Sequence, residues 1–189
     1  MDYSDKELIE MSVGGDSEAF SKLLDRYLQP VYSFALKITS NKDDAEDVAQ
    51  EAFFKAWRNL KKYDPSYNFK SWIFTITHNC SIDLLRKRRN FVFSDFEMDG
   101  GVNPVEDNLV DTEKLPDEVA MLAQDISSLE WALKSINPIQ REVLELYYKE
   151  DMTFEEVGKI LSKPLNTVKS LHRRALLKLK EVMLHQNST

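Results

Sequence analysis

Residues 153–180, TFEEVGKILSKPLNTVKSLHRRALLKLK, contain two helical patterns that are separated by a short break. Thr153 followed by Glu156 forms a capping box, which predicts the start of a helix. Pro164 ends this helix, because proline cannot continue a helix and also restricts the residue before it. A second, longer helix is predicted from Leu165. Its apolar stripe at helical spacing consists of Val168, Leu171, Ala175, Leu179 and Val182.

The charge of this stretch is one-sided. Between Gly158 and Lys180 the charged residues are Lys159, Lys163, Lys169, Arg173, Arg174, Lys178 and Lys180, with no carboxylate among them. This order of a helix, a short turn and a basic helix is typical of a helix-turn-helix whose second helix enters the DNA major groove. The alternative is a two-helix corner with a solvated basic face.

The composition predicts a helical, soluble protein. The chain has 189 residues, of which 42% are hydrophobic and 30% charged, enough for one domain or two small ones. Only five glycines occur and strand-like alternation is hard to find, so we expect an all-α fold. No apolar run approaches the roughly 20 residues of a membrane span, and the N-terminus lacks a signal-peptide core. The single cysteine, Cys80, excludes an intramolecular disulfide and is expected to be a small buried residue.

The net charge of −7 is concentrated in one segment. Residues 94–125 contain ten acidic residues and one lysine, so this segment carries −9 and the remainder of the chain +2. The same segment contains Gly100-Gly101, Pro104 and Pro116 and shows no sustained periodicity. This pattern predicts a flexible acidic linker at 93–126 between two helical domains at 1–92 and 127–189.

Two helices are predicted before residue 40. A short one at 5–11 ends at Gly14-Gly15, and Asp16 caps the next. Pro30 is expected to kink or restart this second helix. Its inward residues are predicted to be Phe20, Leu23, Leu24 and Tyr27.

The next helix, predicted at 42–63 and capped by Asn41, has two contrasting faces. The buried stripe is predicted to contain Ala45, Val48, Ala49, Ala52, Phe53, Ala56, Trp57 and Leu60. The other face carries Asp43, Asp44, Glu46, Asp47, Gln50 and Glu51. Acidic residues in the first turn of a helix are stabilised by the helix dipole, but the acidic residues of this helix extend beyond its first turn. The default interpretation is a solvated helix face, and the more specific one is a docking face for a basic partner.

After a predicted loop at 63–68 comes the helix FKSWIFTITHNCSIDLLRKRRN, at 69–90. Its buried side is predicted to contain Ile73, Ile76, Cys80 and Leu84, so Phe69, Trp72 and Phe74 cannot all lie on that side with them. Aromatic residues interleaved with basic ones next to Asn79 fit single-stranded nucleic acid, whose bases stack on rings. The alternative, that these aromatics form the core of a small helical domain, stays equally open for Trp72.

The second domain is predicted to open with three apolar residues, Leu129, Leu133 and Ile136. Asn137 then caps a helix that has Pro138 at its first position. Its packing residues are predicted to be Val143, Leu144, Tyr147 and Tyr148.

The order of these parts resembles the extracytoplasmic-function (ECF) sigma factors of the sigma-70 family, and the resemblance covers nearly the whole chain. Residues 44–53, DAEDVAQEAF, resemble the helix that grips the clamp of the largest RNA polymerase subunit. Residues 69–79, with Asp83 and Arg86, are similar to the segment that melts and reads the −10 promoter element. Residues 167–175, TVKSLHRRA, resemble the recognition helix for the −35 element.

Three positions depart from the family pattern. Ser162 and Asn166 stand where the family favours glycine, and Leu171 stands where it favours arginine.

The resemblance implies three sets of binding residues. The polymerase-binding set is Asp43, Asp44, Glu46, Asp47, Gln50, Glu51 and Phe53. The −10 DNA-binding set is Tyr67, Asn68, Phe69, Lys70, Ser71, Trp72, Asn79, Asp83, Arg86 and Arg89. The −35 DNA-binding set is Asn166, Thr167, Lys169, Ser170, His172, Arg173, Arg174 and Lys178.

The resemblance also implies partners. These are core RNA polymerase (the clamp of its largest subunit and the flap of its second-largest), promoter DNA and an anti-sigma factor. The acidic linker would follow the RNA exit path, and the 63–68 loop would capture a flipped non-template base. We expect a cytoplasmic bacterial protein of the stress-response type, with no catalytic residue, cofactor or metal.

Two other functions remain open on the residues alone. A stand-alone helix-turn-helix regulator would bind its duplex unaided and would not need the acidic face of the 42–63 helix. A helical module that only sequesters a transcription protein would not need the basic face at 159–180. An enzyme is disfavoured, since the three histidines lack metal-ligand spacing and no glycine-rich phosphate loop occurs.

Overall fold

The computed structural model describes residues 3–93 and 132–186, and the side chains of 3–88 and 132–184. All regular secondary structure in these ranges is helical, which confirms the predicted fold class. The described residues belong to two separate compact units. Residues 94–126 of the predicted acidic linker and Leu129 lie outside the described residues. Of the other two residues predicted to open the second domain, Ile136 is buried and Leu133 packs against the same cluster.

The N-terminal unit contains four α-helices. They are α1 (Asp5–Val13), α2 (Ser17–Thr39), α3 (Lys42–Asn59), which continues into a 3₁₀ turn (Leu60–Lys62), and α4 (Phe69–Phe93). The predicted caps are confirmed: Asp16 accepts from the backbone N–H groups of α2, and the Asn41 side chain accepts from the N–H of Asp44 at 3.0 Å.

Helix α2 runs without interruption through Pro30, so the predicted restart is wrong. The proline removes one backbone donor, but Tyr27, Val31 and Phe34 are buried on either side of it. Packing of this continuous apolar face holds the two halves in one helix.

Helix α4 packs against both α2 and α3, and this arrangement widens its buried side. Phe69 and Phe74 are buried together with Ile73 and Cys80, so these two aromatics belong to the core. The Phe34 and Phe74 rings lie 5.0 Å apart. The sequence predicted that Phe69, Trp72 and Phe74 could not all lie on the buried side, and of the three only Phe69 and Phe74 are buried. Trp72 is half-buried.

The stripe of α3 follows the prediction except at one residue. Its alanines, Val48, Phe53 and Leu60 are buried, but Trp57 is 44% exposed, with its ring centroid 4.7 Å from that of Phe20. Trp57 therefore lies at the edge of the stripe rather than within it.

The C-terminal unit contains α5 (Pro138–Leu144), a π-helical turn (Glu145–Lys149), α6 (Phe154–Leu161) and α7 (Leu165–Gln186). Asn137 and Thr153 both form capping boxes, as predicted. Helix α7 packs on α5 and α6. Its predicted stripe is buried at Val168, Leu171, Ala175 and Leu179, and half-buried at Val182. Tyr148 was predicted to pack but is 46% exposed.

The break between α6 and α7 has a tight geometry. Ser162 is left-handed at φ 52°, and the N–H of Lys163 donates to the carbonyl of Gly158 at 2.9 Å. A Cβ added to Gly158 would lie 2.9 Å from the Lys163 carbonyl oxygen. Gly158 is therefore required where the turn crosses α6, and Ser162 occupies a conformation that suits glycine.

Candidate nucleic-acid interface

The first turns of α7 present polar side chains away from the core of the C-terminal unit. Asn166, Lys169 and Lys178 are exposed, and Thr167, Ser170 and Arg174 are half-buried. The buried residues Val168, Leu171 and Ala175 occupy the opposite side of the helix. This division leaves a polar and basic strip open along the second helix of the helix-turn-helix.

His172 does not belong to this open strip. Its ring lies 5.1 Å from the rings of both Tyr147 and Phe154, and its Nε2 lies 3.2 Å from the Tyr148 hydroxyl. Burial lowers the pKa of His172 below its ordinary 6.5, so the imidazole is neutral at pH 7. Packing accounts for this side chain, and its predicted −35 contact stays a prediction.

The two adjacent arginines of α7 differ in setting. Arg174 donates from Nε to the Ser170 carbonyl of its own helix at 3.3 Å. The Nε of Arg173 is buried in the unit. Of the basic residues predicted to read the −35 element, Lys169 and Lys178 are therefore the most open and Arg173 is partly enclosed.

In the N-terminal unit, α4 and the end of α3 together form a groove of about 420 Å³. Trp72, Ile76, Asn79 and Cys80 line it from α4. Lys55, Asn59 and Lys62 line it from α3 and the 3₁₀ turn. An aromatic ring, a carboxamide and two ammonium groups thus meet in one concavity, which is the chemistry of a site for single-stranded nucleic acid.

The three residues from α3 and the 3₁₀ turn were not predicted. Lys55, Asn59 and Lys62 are spaced four and three apart, so helical periodicity places them on one face. That spacing was the available signal in the sequence. It did not identify the site, because only the packing of α3 on α4 brings these residues beside Trp72 and Asn79.

Cys80 closes the floor of the groove. It is buried, as predicted, and its thiol accepts a hydrogen bond from Lys55 Nζ at 3.4 Å. Burial raises the pKa of Cys80, so the thiol stays protonated at pH 7.

Further along α4, Asn79, Asp83 and Arg86 are exposed at spacings of four and three residues. They form one polar strip that continues from the groove toward the basic end of the helix. The backbone at Arg89 belongs to α4, but its side chain lies outside the described residues.

Two predicted −10 residues are buried instead of exposed. Phe69 is 3% exposed and packs edge-on against Tyr27, with ring centroids 5.3 Å apart. Ser71 is 7% exposed, and its hydroxyl donates to the Asn68 carbonyl at 3.1 Å. Both side chains are enclosed because α4 begins against the core. Packing accounts for both side chains, and their predicted −10 contacts stay predictions.

The loop at 63–68 is held in a defined shape. The Tyr63 hydroxyl donates to the Tyr67 carbonyl, and the Ser66 N–H donates to Asp64 Oδ1 at 2.9 Å. Hydrogen bonds from the backbone and the side chain of Ser66 lower the pKa of Asp64 below its ordinary value. Tyr67 and Asn68 stay exposed at the loop's end, and Lys70 is half-buried after it.

The acidic face of α3 is largely as predicted. Asp43, Glu46, Asp47, Gln50 and Glu51 are exposed. Two members of the predicted polymerase-binding set do not share this exposure.

The exceptions are Asp44, which is 2% exposed, and Phe53, which is 6% exposed. Asp44 pairs with Arg88 near the end of α4 instead of facing solvent. The sequence placed Asp44 on the outer face because aspartate is normally solvated, and nothing local pointed to an arginine 44 residues later.

Two aromatic residues extend the acidic face. Phe54 is 54% exposed with Arg58 above its ring at 5.6 Å, and Trp57 follows one helical turn later. Their position after Glu51 at helical spacing could have shown this in the sequence.

Comparison with known proteins decides the family. The Sigma-70 region 2 profile matches residues 23–91, which lie in the N-terminal unit. The Sigma-70, region 4 profile matches residues 132–181, which lie in the C-terminal unit. The chain belongs to the sigma-70 family, as an ECF sigma factor. As such it is an alternative sigma factor that directs transcription initiation.

Relatives of this sigma factor match it from end to end. The ECF RNA polymerase sigma factor SigW of Bacillus subtilis is 29% identical over 175 residues, which cover 92% of this chain and 94% of that protein. SigK of Mycobacterium tuberculosis is 26% identical over 180 residues, covering 93% and 91%.

Solved structures show the same fold. The sigma factor RpoE of Bartonella quintana, crystallised with the anti-sigma factor NepR, is 27% identical with a TM-score of 0.62 over 87% of this chain and 96% of that one. CnrH, solved with the cytosolic domain of CnrY, has a TM-score of 0.63 at 23% identity, over 95% and 96%.

Within the ranges that the structure describes, no helix has the length and apolar character needed to cross a membrane. Those same ranges contain no group of His, Cys, Asp and Glu placed to hold a metal ion.

Proposed function

We propose that this sigma factor binds core RNA polymerase through the acidic face of α3, melts and reads the −10 element with α4, and reads the −35 element with α7. One observation supports this division of labour. Along α3 the exposed acids lie on the first turns, whereas Lys55 and Lys62 lie at the far end and in the following 3₁₀ turn, beside Trp72 and Asn79. A surface for a basic protein and a surface for nucleic acid are thus separated along one helix.

The docking surface consists of Asp43, Glu46, Asp47, Gln50 and Glu51. Charge complementarity of this kind speeds encounter and fixes register more than it adds raw affinity. The clamp of the largest polymerase subunit would supply the basic partner. Phe54 and Trp57 lie next to the acids and would supply the apolar anchors that carry much of the binding energy in protein interfaces.

At the −10 element, the groove between α3 and α4 would receive unpaired bases. Stacking on an aromatic ring contributes about 1–3 kcal/mol per base. Trp72 would provide the ring, Asn79 the hydrogen bonds to a base edge, and Lys55 and Lys62 the phosphate contacts. Tyr67 and Asn68 at the end of the 63–68 loop would hold a flipped base, and the stacking would offset the unstacking cost of a few kcal/mol.

At the −35 element, α7 would enter the major groove with its exposed strip. Lys169 and Lys178 would contact phosphates or bases, and Asn166, Thr167 and Ser170 would reach base edges. Phosphate contacts fix the register on the duplex, while base contacts specify the sequence.

The remaining partners follow from the same function. The flap of the second-largest polymerase subunit would hold the C-terminal unit, with the 93–126 segment joining it to a 1–92 domain along the RNA exit path. Because RpoE of Bartonella quintana is bound by an anti-sigma factor, an anti-sigma factor is proposed here as well. The protein would act in the bacterial cytoplasm without catalysing a reaction itself.

The test is co-purification with bacterial core polymerase, followed by run-off transcription on promoters selected from a randomised pool. Wild type is expected to form a stable complex and initiate at defined start sites. Asp47→Lys should slow association with polymerase and weaken binding, most strongly at low salt, because it places a cation within the acidic face. Glu18→Lys changes an equally exposed acid on α2 and serves as the matched control. Selective binding of the free chain to intact duplex, with no polymerase binding, would instead support a stand-alone regulator.

A further inference from the structure

We propose that Asp44 is a positioning residue that aims the Arg88 guanidinium at the phosphate backbone of the −10 DNA strand. The inference rests on the proposed function, since it adds a DNA contact to the surface formed by α4. Arg88 was not among the residues that sequence resemblance pointed to. Asp44 was, but as a contact for polymerase.

The burial of Asp44 removes it from any surface. Its side chain is 3% exposed, whereas its neighbours Asp43 and Asp47 on the same helix are exposed. A buried carboxylate requires compensation, and within the described residues its Oδ1 accepts from Arg88 Nη2 while its Oδ2 has no hydrogen-bond partner. Arg88 is thus the principal compensation for this charge.

Arg88 is placed differently from its partner. Its side chain is 58% exposed although one of its nitrogens is bound to Asp44. A guanidinium has five N–H donors in a rigid fork, so one edge can be held by a carboxylate while another edge faces outward. The pair therefore fixes the orientation of a cation that solvent, or a phosphate, can still reach.

The ion pair lies near the end of α4, where few other described side chains of this helix are buried. No described side chain of α4 after Ser81 is fully buried, and Leu84 is the last that packs on the cluster formed by Ala45, Val48 and Ala52. Beyond Leu84, the ion pair between Arg88 and Asp44 joins α4 to α3. It holds the basic end of α4, which includes Arg86 and Lys87, at a set distance from the acidic face of α3.

Asp44 lies where the two proposed binding surfaces meet. The first turn of α3 is fixed by the Asn41 cap, whose side chain accepts from the N–H of Asp44, and this turn carries the exposed acids proposed to meet polymerase. The same residue's side chain fixes the outward direction of Arg88. Asp44 therefore sets the geometry between the polymerase-docking surface and the DNA-binding end of α4.

The experiment uses holoenzyme reconstituted from core polymerase and the full chain. Its DNA is a fork with a single-stranded −10 strand, selected from a randomised pool by the wild-type holoenzyme. Dissociation constants are measured across a range of salt concentrations for wild type, Asp44→Asn, Arg88→Gln and the double variant. Glu18→Gln, which removes the same charge from an exposed site on α2, is the matched control. Polymerase affinity and thermal unfolding are measured for each variant.

We expect Arg88→Gln to weaken fork binding roughly tenfold and to reduce the salt slope by about one, as for loss of one phosphate contact. Asp44→Asn should weaken binding about threefold in the wild-type background and not further in the Arg88→Gln background. Polymerase affinity should stay at the wild-type level throughout, and Glu18→Gln should change neither quantity.

Three results would overturn the inference. An unchanged salt slope in Arg88→Gln would show that Arg88 contacts no phosphate. An equal loss from Asp44→Asn in both backgrounds would show that it acts on the fold alone, as would a loss of DNA binding that only tracks unfolding temperature. Loss of polymerase affinity in Asp44→Asn with unchanged DNA binding would return Asp44 to the docking surface. Failure of the wild-type holoenzyme to select any DNA would instead refute the proposed function itself.

Discussion

Helices α4 and α7 are both proposed to face DNA, yet they are packed in different ways. Helix α4 lies against two helices, so buried residues occupy a wide arc, and aromatic residues that look like stacking platforms in the sequence belong to the core. Helix α7 buries a narrower stripe along its first turns, and the opposite side of the helix stays polar. A residue's pattern therefore predicts its exposure well on α7 and poorly on α4, because both helices have two neighbours but those of α4 enclose a wider arc of it.

The largest expected effect concerns Phe69, which the sequence assigned to DNA and the structure assigns to the core. Phe69→Ala should lower the free energy of unfolding of the N-terminal unit by about 3–5 kcal/mol, since it removes a buried ring and leaves a cavity. Thermal or denaturant unfolding of the full chain measures this loss. Tyr67→Ala, two residues earlier and half exposed, is the control and should change stability little. A stable Phe69→Ala variant with impaired fork binding would contradict the core assignment.

On α7, Lys169 is an exposed cation and Arg173 is a partly enclosed one, so substitutions of the two should have different effects. Lys169→Ala should weaken binding of holoenzyme to a −35 duplex by about 1–3 kcal/mol if the lysine contacts a base, and uniformly across sequences if it contacts only phosphate. Stability should not change, because the side chain is exposed.

Arg173→Ala is the counterpart, and should lower the stability of the C-terminal unit because its Nε lies inside. The reverse assignment, with Arg173→Ala affecting only DNA binding, would show that partial burial does not prevent base contact on this helix.

A smaller effect is expected at the turn that precedes α7. Ser162 has φ 52°, and a left-handed conformation costs a residue with a side chain about 1–2 kcal/mol that glycine avoids. Glycine also loses more backbone entropy on folding, so Ser162→Gly should stabilise the C-terminal unit by roughly 0.5–1 kcal/mol. Denaturant unfolding at fixed pH tests this. Ser135→Gly, at an exposed serine without a positive φ, is the control and should not stabilise.

The smallest effect is the pH response of His172. Because burial lowers its folded pKa below 6.5, the folded state binds fewer protons than the unfolded state just below that pH. This contribution to stability is complete above pH 6.5 and is lost as the pH falls through the unfolded pKa toward the folded one. An NMR titration of the imidazole should give a pKa below 6.5.

The His172→Phe variant should lose that share of the acid destabilisation while keeping the aromatic cluster with Tyr147 and Phe154. A titration midpoint above 6.5 would show that the ring is not enclosed as described.

Local chemistry made much of the fold predictable. A cap acts on backbone groups two or three residues away, so Asp16, Asn41, Asn137 and Thr153 were assigned correctly from neighbours alone. Charge segregation and the break at Ser162-Lys163-Pro164 are also local features. They sufficed to predict an all-helical chain with a helix-turn-helix near its end.

The residues that the sequence misplaced share a different cause. Asp44 is buried and paired with an arginine on α4, Phe69 packs against Tyr27 and Tyr63, and Trp57 lies at the edge of the buried stripe of α3. Lys55 reaches the groove only because α3 packs on α4. Each outcome depends on side chains that are distant along the chain, so helical periodicity could state which residues share a face but not what covers it.

The sequence by itself therefore determined where the capped helices begin, because hydrogen bonding and backbone sterics act between near neighbours. Only the tertiary structure decided which acids stay exposed on α3, which aromatics of α4 belong to the core, and which arginine pairs with a buried carboxylate. The reason is that burial is a property of the packed helices together, and two helices added around α4 change the solvent exposure of residues whose own sequence is unchanged.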